Sequence, residues 1–296
     1  MMKGDYKKRF SDICCFAEFG LPALIIWVSV VLIPFIFGIW ITLTDWNGLA
    51  MELHFVGLSN FLNVFNDPTI VTSFFKTVIY AFFTVIASNI MGILLALAVT
   101  SGIRGQNLFR IGFFSPNIIG GIILGYIWRF IFLYAFTAVG KSMEVEWMTT
   151  SWLTHSTRAL IALIIVSSWQ LSGYLMVIYI AGLTSVSKEL VDAAYADGAS
   201  GMQIFKSVKL PLIRNSIAIC VFLSISRAFM SFDMNLSLTA GGPYKSTELI
   251  AYKIYQTAFT SMEFGKGQAQ AIVFFVIVAI ISLLQVYFTK KGGDEQ

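Results

Sequence analysis

A chain of 296 residues that is 57% hydrophobic and only 12% charged, with a mean hydropathy of +0.78, is not a soluble globule, whose charged share runs near ~25%. Its 27 Phe, 11 Tyr and 7 Trp exclude intrinsic disorder, and apolar residues gathered in long runs instead of alternating argue against a transmembrane β-barrel. The net charge of +4 has no soluble Lys- and Arg-rich face that could serve nucleic acid, so its sign belongs to membrane topology, and the expected class is an all-α integral membrane protein.

At the N-terminus, residues 1–20 place Phe10, Ile13, Cys14 and Ala17 at helical spacing with Lys7, Lys8 and Asp12 between them, which suits a short helix in the headgroup plane. Stretches able to cross ~30 Å of hydrocarbon follow at 21–43, 77–99, 111–128, 159–183 and 269–289. The third is expected to continue past Arg129. A sixth, 212–232, holds Arg214 and Arg227 and is otherwise apolar. The first run is longer than a signal-peptide core and passes through Pro34 without a small-residue cleavage site, so it reads as an anchor. The expected division is therefore an interfacial segment 1–20, a six-helix domain 21–289 and a tail 290–296. In the first outer loop, 44–73, Trp46, Phe55 and Phe61 suit interfacial anchors. His54 and His155 read as solvated, and Cys14, Cys15 and Cys220 lack metal-ligand spacing.

Six spans leave both termini on one side. Twelve Lys and Arg fall on that side (Lys3, Lys7, Lys8, Arg9, Arg104, Arg110, Lys188, Lys206, Lys209, Arg214, Lys290 and Lys291) against six on the other. By the positive-inside rule both termini are cytoplasmic.

Between the fourth and fifth spans, the polar loop 184–211 is too specifically built to be mere connection. Leu190, Ala193 and Ala194 recur at i, i+3 and i+4, predicting a helix over 188–196 with Ser187 as N-cap. Gly198 then allows a left-handed exit, and a second helical turn places Met202, Phe205 and Val208 on one face before Pro211 opens the next span. Two short helices at an angle make a cytoplasmic knob whose alanine face calls for a partner protein.

The run DAA, three residues, Gly198, nine residues, then Val208, Lys209, Leu210 and Pro211 resembles the EAA loop of binding-protein-dependent ABC transporter permeases. Asp192 stands where Glu is usual and Val208 where Ile is usual. The resemblance implies that the loop is a coupling helix seated in a groove of a cytoplasmic ATPase subunit, with Glu189, Asp192, Ala193, Ala194, Asp197 and Gly198 in contact. The segments LFRIGFFSPNIIGGIILGYIWRFIF and SFDMNLSLTAGGPYKSTELIAYKIYQTAF extend the likeness and point to the sugar-type branch, similar to the maltose and glycerol-3-phosphate transporter permeases. It implies the type I importer architecture and a bacterial or archaeal cytoplasmic membrane. The implied partners are membrane lipid, a second homologous permease, two cytoplasmic ATPase subunits and an extracytoplasmic solute-binding protein. No GxxxxGK[ST] phosphate loop occurs, so no cofactor is expected in this chain and Mg-ATP would belong to the partner subunit.

Polar groups within spans should face a cavity or a partner. In the fourth span Trp169, Gln170 and Tyr174 offer an aromatic face with amide and hydroxyl groups for a sugar, although the two rings also suit plain helix packing. Carried over from the maltose relative, the sugar-binding positions fall here on Ser167, Gln170, Leu171, Tyr174, Ser224, Ala228 and Ser231. Several identities differ, so that relative's sugar is not implied. Arg227 needs a carboxylate, carbonyls or water nearby, which an anionic or uronic solute or a contact with the partner permease would each supply. An ion-coupled carrier or channel should hold acidic residues inside its spans, yet each Asp and Glu, Asp233 included, falls in a loop, a tail or at a span boundary. An intramembrane enzyme would need a catalytic constellation that does not assemble. The expectation is a non-catalytic permease subunit of an ABC importer for a sugar or oligosaccharide.

Overall fold

The computed structural model describes residues 16–49, 53–102 and 104–291. The interfacial helix expected before residue 16, with Cys14 and Cys15, lies outside the described residues. The helices in chain order are α1 (Phe16–Ile41), α2 (Ser59–Asn66), α3 (Pro68–Thr100), α4 (Gln106–Ile119), α5 (Gly121–Ser142), α6 (Ser156–Thr184), α7 (Lys188–Ala196), α8 (Gly201–Leu212), α9 (Arg214–Phe229), α10 (Ile250–Tyr255) and α11 (Phe264–Lys291). Five of them, α1, α3, α5, α6 and α11, are long and apolar enough to cross a membrane, and the bent pair α8 and α9 makes a sixth. The chain forms two compact units, residues 67–253 with 274–296 and residues 1–66 with 254–273.

In the smaller unit, α1 runs through Pro34 because a π turn, Val28–Leu32, lies where the missing proline N–H would have bonded. Past its end, the Asn60 amide donates to the carbonyls of Thr42 and Thr44, both at 2.8 Å. Trp46 is packed on Phe264, with ring centroids 5.5 Å apart, whereas Phe55 is exposed.

The larger unit is organised by α3 and α6. Asp67 caps α3, accepting from the Thr69 N–H at 2.8 Å, and Pro68 follows at a position that has no helical bond to lose. Burial alone would raise the Asp67 carboxyl, but side-chain and backbone hydrogen bonds from Thr69 outweigh it and hold the group below its ordinary value of 3.8. Along α3, Ser73, Thr77, Tyr80, Ala81, Thr84, Ser88, Gly92 and Ala96 form one buried stripe of small and hydroxylic residues. It packs mainly on α6, where a Cβ on Gly92 would stand only 3.1 Å from Leu175 Cβ. Lipid tails give helices no hydrophobic reason to pair, so close approach at small residues is what holds them.

Two spans depart from the expected boundaries. The third does not run as one helix over 111–128: α4 contains Pro116 and stops at Gly120, whose φ of 86° and ψ of 147° is open only to glycine, and α5 then extends to Ser142. The fifth does not begin at 212: α8 meets α9 at 74° through Ile213, which is buried at 1% exposure, so the helix proper starts at Arg214. After α9 a π turn, Asn235–Thr239, leads to a loop with left-handed Ala240, Gly241, Tyr244 and Lys245. Asn235 ties this loop together, donating to the Thr247 carbonyl at 2.7 Å and accepting from the Leu249 N–H, while Thr77 of α3 accepts from the Ile250 N–H at 2.8 Å.

The loop 184–211 folds into α7 and α8. Ser187 caps α7 by accepting from the Glu189 N–H, Gly198 leaves it at φ 80°, and Ser200 with Gln203 forms a capping box that starts α8. The second face is not the expected Met202, Phe205 and Val208. Ile204 is the residue buried and Met202 points out at 63% exposure, and a π turn at Phe205–Lys209 changes the spacing beyond them.

Candidate functional site

A cavity of about 240 Å³ opens in the larger unit where α3, the α4–α5 break, α6 and the end of α9 converge. Tyr80 and Thr84 of α3 are one helical turn apart and therefore share a face. Ser167, Gln170 and Leu171 follow the same logic on α6, while Arg227, Ala228, Met230, Ser231 and Asp233 come from the end of α9 and the residues after it. Asn117 and Gly121 line it from the end of α4 and the start of α5.

One wall is a hydroxyl cluster. The Tyr80 phenol donates to Ser231 Oγ at 3.1 Å and stands beside the hydroxyls of Ser167 and Thr84. The other polar groups surround the break. Gln170 donates to the Pro116 carbonyl at 3.3 Å, taking an acceptor that α4 can no longer satisfy because Gly120 ends it. Arg227 lies over the Tyr174 ring, 4.9 Å from its centroid, and its Nη1 is 3.5 Å from Asn117 Oδ1. Asp233 also lines the cavity, yet among the described residues the one ion pair is Lys266 with Glu263, so Arg227 and Asp233 do not meet.

Of the six pathway residues expected from sequence, Gln170, Arg227 and Ser231 line the cavity. Trp169 turns instead into the core, edge-on to Trp128 at 5.5 Å. Tyr174 carries the guanidinium, and Ser224 is fully buried, accepting from Asn89 Nδ2 at 2.9 Å while Asn89 Oδ1 accepts from Tyr179. Of the carried-over positions, Ser167, Leu171 and Ala228 also border the cavity. Sequence reasoning missed Tyr80, Thr84 and Asn117, although a polar stripe at helical spacing through the second span was there to be read. No local signal brings Asp233 against Gly121.

The knob residues form a second candidate site. Glu189, Asp192, Ala193, Asp197 and Gly198 are exposed and Ala194 is half-buried. Leu190 and Tyr195 flank the two carboxylates of α7 at 51% and 57% exposure, so the surface offers negative charge between apolar shoulders. The knob is joined closely to the spans. Only residues 185–187 separate α7 from α6, and Gly182 of α6 lies so close to Ser216 of α9 that a Cβ would stand 2.9 Å from the serine Cβ.

The family model described as the binding-protein-dependent transport system inner membrane component matches residues 88–291. A probable starch degradation products transport system permease protein, AmyD of Thermoanaerobacterium thermosulfurigenes, is 42% identical over 277 residues, 94% of each chain. The multiple sugar-binding transport system permease protein MsmF of Streptococcus mutans is 32% identical over 92% of this chain and 94% of its own. In fold, the chain resembles one from a bacterial ABC transporter involved in the import of the acidic polysaccharide alginate, with a TM-score of 0.82 at 18% identity over 97% of this chain and 98% of that one.

Proposed function

The chain belongs to the family of binding-protein-dependent transport system inner membrane components, and from that premise we propose that it forms half of the translocation pathway for a sugar or oligosaccharide. It is a transmembrane permease subunit of an ABC importer. The other half is a second, homologous permease subunit, the solute arrives on an extracytoplasmic binding protein, and two cytoplasmic ATPase subunits hydrolyse Mg-ATP. Both termini are cytoplasmic in the inner membrane, with residues 21–289 as the six-helix domain. The relatives named for starch degradation products and for multiple sugars support the solute class.

The observation that carries this reading is the cavity. It unites the hydroxyls of Tyr80, Ser167 and Ser231, the amides of Asn117 and Gln170 and the Arg227 guanidinium, most of them on membrane-spanning helices, where polar groups are costly unless they face a solute or water. Solute passes along this wall. Glu189, Asp192, Ala193, Ala194, Asp197 and Gly198 seat the knob in the ATPase. Closure of the ATPase pair displaces α7 and α8, and the continuous α6 carries that displacement to Ser167, Gln170 and Leu171 as a rigid-body shift.

The test is ATP-driven uptake of a labelled glucose oligomer by the complete transporter in proteoliposomes. Gln170→Leu is expected to lower uptake at least about tenfold, the loss of one buried polar contact, while the complex still assembles and hydrolyses ATP. Unchanged uptake in Gln170→Leu and in Ser231→Leu would remove the cavity from the pathway.

A further inference from the structure

Gly120 ends one helix and begins another inside an apolar stretch, and such a break frees backbone groups on both sides. The last carbonyls of α4 form the negative end of that helix, and the first amides of α5 form the positive end of the next. A charge of the opposite sign stands at each. Arg227 reaches the last turn of α4 at Asn117, with the 3.5 Å contact described above. Asp233 lies against Gly121, the first residue of α5, with Oδ2 3.5 Å from where a glycine Cβ would stand. The cavity thus contains one guanidinium and one carboxylate, each matched to a helix end and not to the other, and among the described residues no further charged one lines it.

We infer that this cavity selects an uncharged, polyhydroxylated solute, a neutral glycosyl unit, and that Arg227 and Asp233 set that preference. The inference rests on the reading of the cavity as the solute path. An anionic sugar placed here would gain at Arg227 and lose at Asp233, with its own desolvation uncompensated. A pair of hydroxyls does better, since one accepts from a guanidinium while the other donates to a carboxylate. Across the cavity, Thr84 Oγ1 and Ser167 Oγ are 1% and 8% exposed in their residues and, though turned to the Tyr80 phenol, complete no hydrogen bond of full geometry. They are unspent hydroxyls held within the cavity wall, beside the Tyr80 phenol. At about 240 Å³ the space is below the roughly 300–1,000 Å³ of pockets that hold drug-sized ligands, which fits one glycosyl unit at a time.

The experiment measures equilibrium binding of two radiolabelled probes, a neutral glucose trimer and an anionic galacturonate trimer, added directly to the complete transporter in lipid nanodiscs. The wild type is expected to bind the neutral trimer at least tenfold more tightly. Asp233→Asn should narrow that ratio about tenfold by gaining the anion, and Arg227→Gln should weaken the neutral trimer without gaining the anion. Gel filtration reports whether each variant assembles; if neither does, the wild-type preference decides. A wild type that fails to bind the neutral trimer or prefers galacturonate overturns the inference, as does an unchanged ratio in an assembled Asp233→Asn. ATP-driven uptake in Gln170→Leu separates the two levels. Lowered uptake with a preference for galacturonate sinks only the charge selection, whereas intact uptake sinks the solute path as well.

Discussion

At Gly173 α6 lies directly against the backbone of α4, and replacing it with alanine should open the cavity wall. A Cβ there would overlap the Phe113 carbonyl oxygen and stand 2.7 Å from its carbonyl carbon and 3.2 Å from Phe114 Cα. These are backbone atoms, so no side-chain rotation relieves the contact. Carbon atoms need about 3.5–4.0 Å, which means the helices must separate by roughly 1 Å. The Gln170–Pro116 bond, already 3.3 Å long, lies about one turn away on the same helix and would not survive that shift. Overpacking of this kind costs about 1–3 kcal/mol and the lost bond about 1 more, for a total of about 2–4 kcal/mol. At roughly 2–4 °C per kcal/mol the assembled transporter should melt on the order of 5–15 °C lower, read by tryptophan fluorescence, with uptake reduced in parallel. Gly201→Ala, where no atom lies within 4 Å of the new methyl, is the matched control and should melt like the wild type. If Gly173→Ala melts within a degree of the wild type and transports normally, the close α4–α6 contact is not what shapes the cavity.

Two further outcomes follow from local geometry. Gly198→Val meets open space but a φ of 80°, so it should strain the knob by about 1–2 kcal/mol, leave insertion and assembly intact and uncouple ATP hydrolysis from uptake; normal ATP-driven uptake would refute the coupling role. Because the Asp67 carboxyl is held below 3.8 in the folded chain, its cap contributes fully above that value and fades as the pH falls through the lower folded one. Asp67→Ala should cost about 1 kcal/mol near neutral pH and remove this acid step from a melting-temperature profile, and an identical acid limb in wild type and variant would count against it.

Much of this molecule is legible in its residues because the bilayer enforces simple rules. The spans announce themselves by length and apolarity, and α7 with its Ser187 cap and left-handed Gly198 follows from capping chemistry over a dozen residues. What escapes is long-range. The third span reads as continuous because Pro116 and Gly120 are both tolerated in membrane helices, and only packing of Gly121 and Gly125 against Asp233 and Ser237 shows where the chain turns. Ile204 stands inward in place of Met202, and just past it a π turn resets the helical phase, which no periodicity of 3.6 foretells. In the cavity, Gln170 and Ser231 could be picked out as polar residues in spans, but Trp169 could not be told from a core residue until Trp128 stood beside it.

The stripe between α3 and α6 also has a mechanical side. Some of its hydroxyls are spent on their own helices, Thr77 donating to the Ser73 carbonyl, Ser88 to Val85, Ser172 to Trp169 and Thr184 to Ile180, while those of Ser73, Thr84, Ser167 and Ser168 have no hydrogen-bond partner to lose. Across the boundary, the side-chain hydrogen bond among the described residues comes from one phenol, Tyr179 to Asn89 at 2.7 Å. Small residues make a smooth track, and groups that are already satisfied lose nothing when the track slides. Displacing one helix along the other therefore disturbs one rivet and little else, so a closely packed joint is also one that can shear.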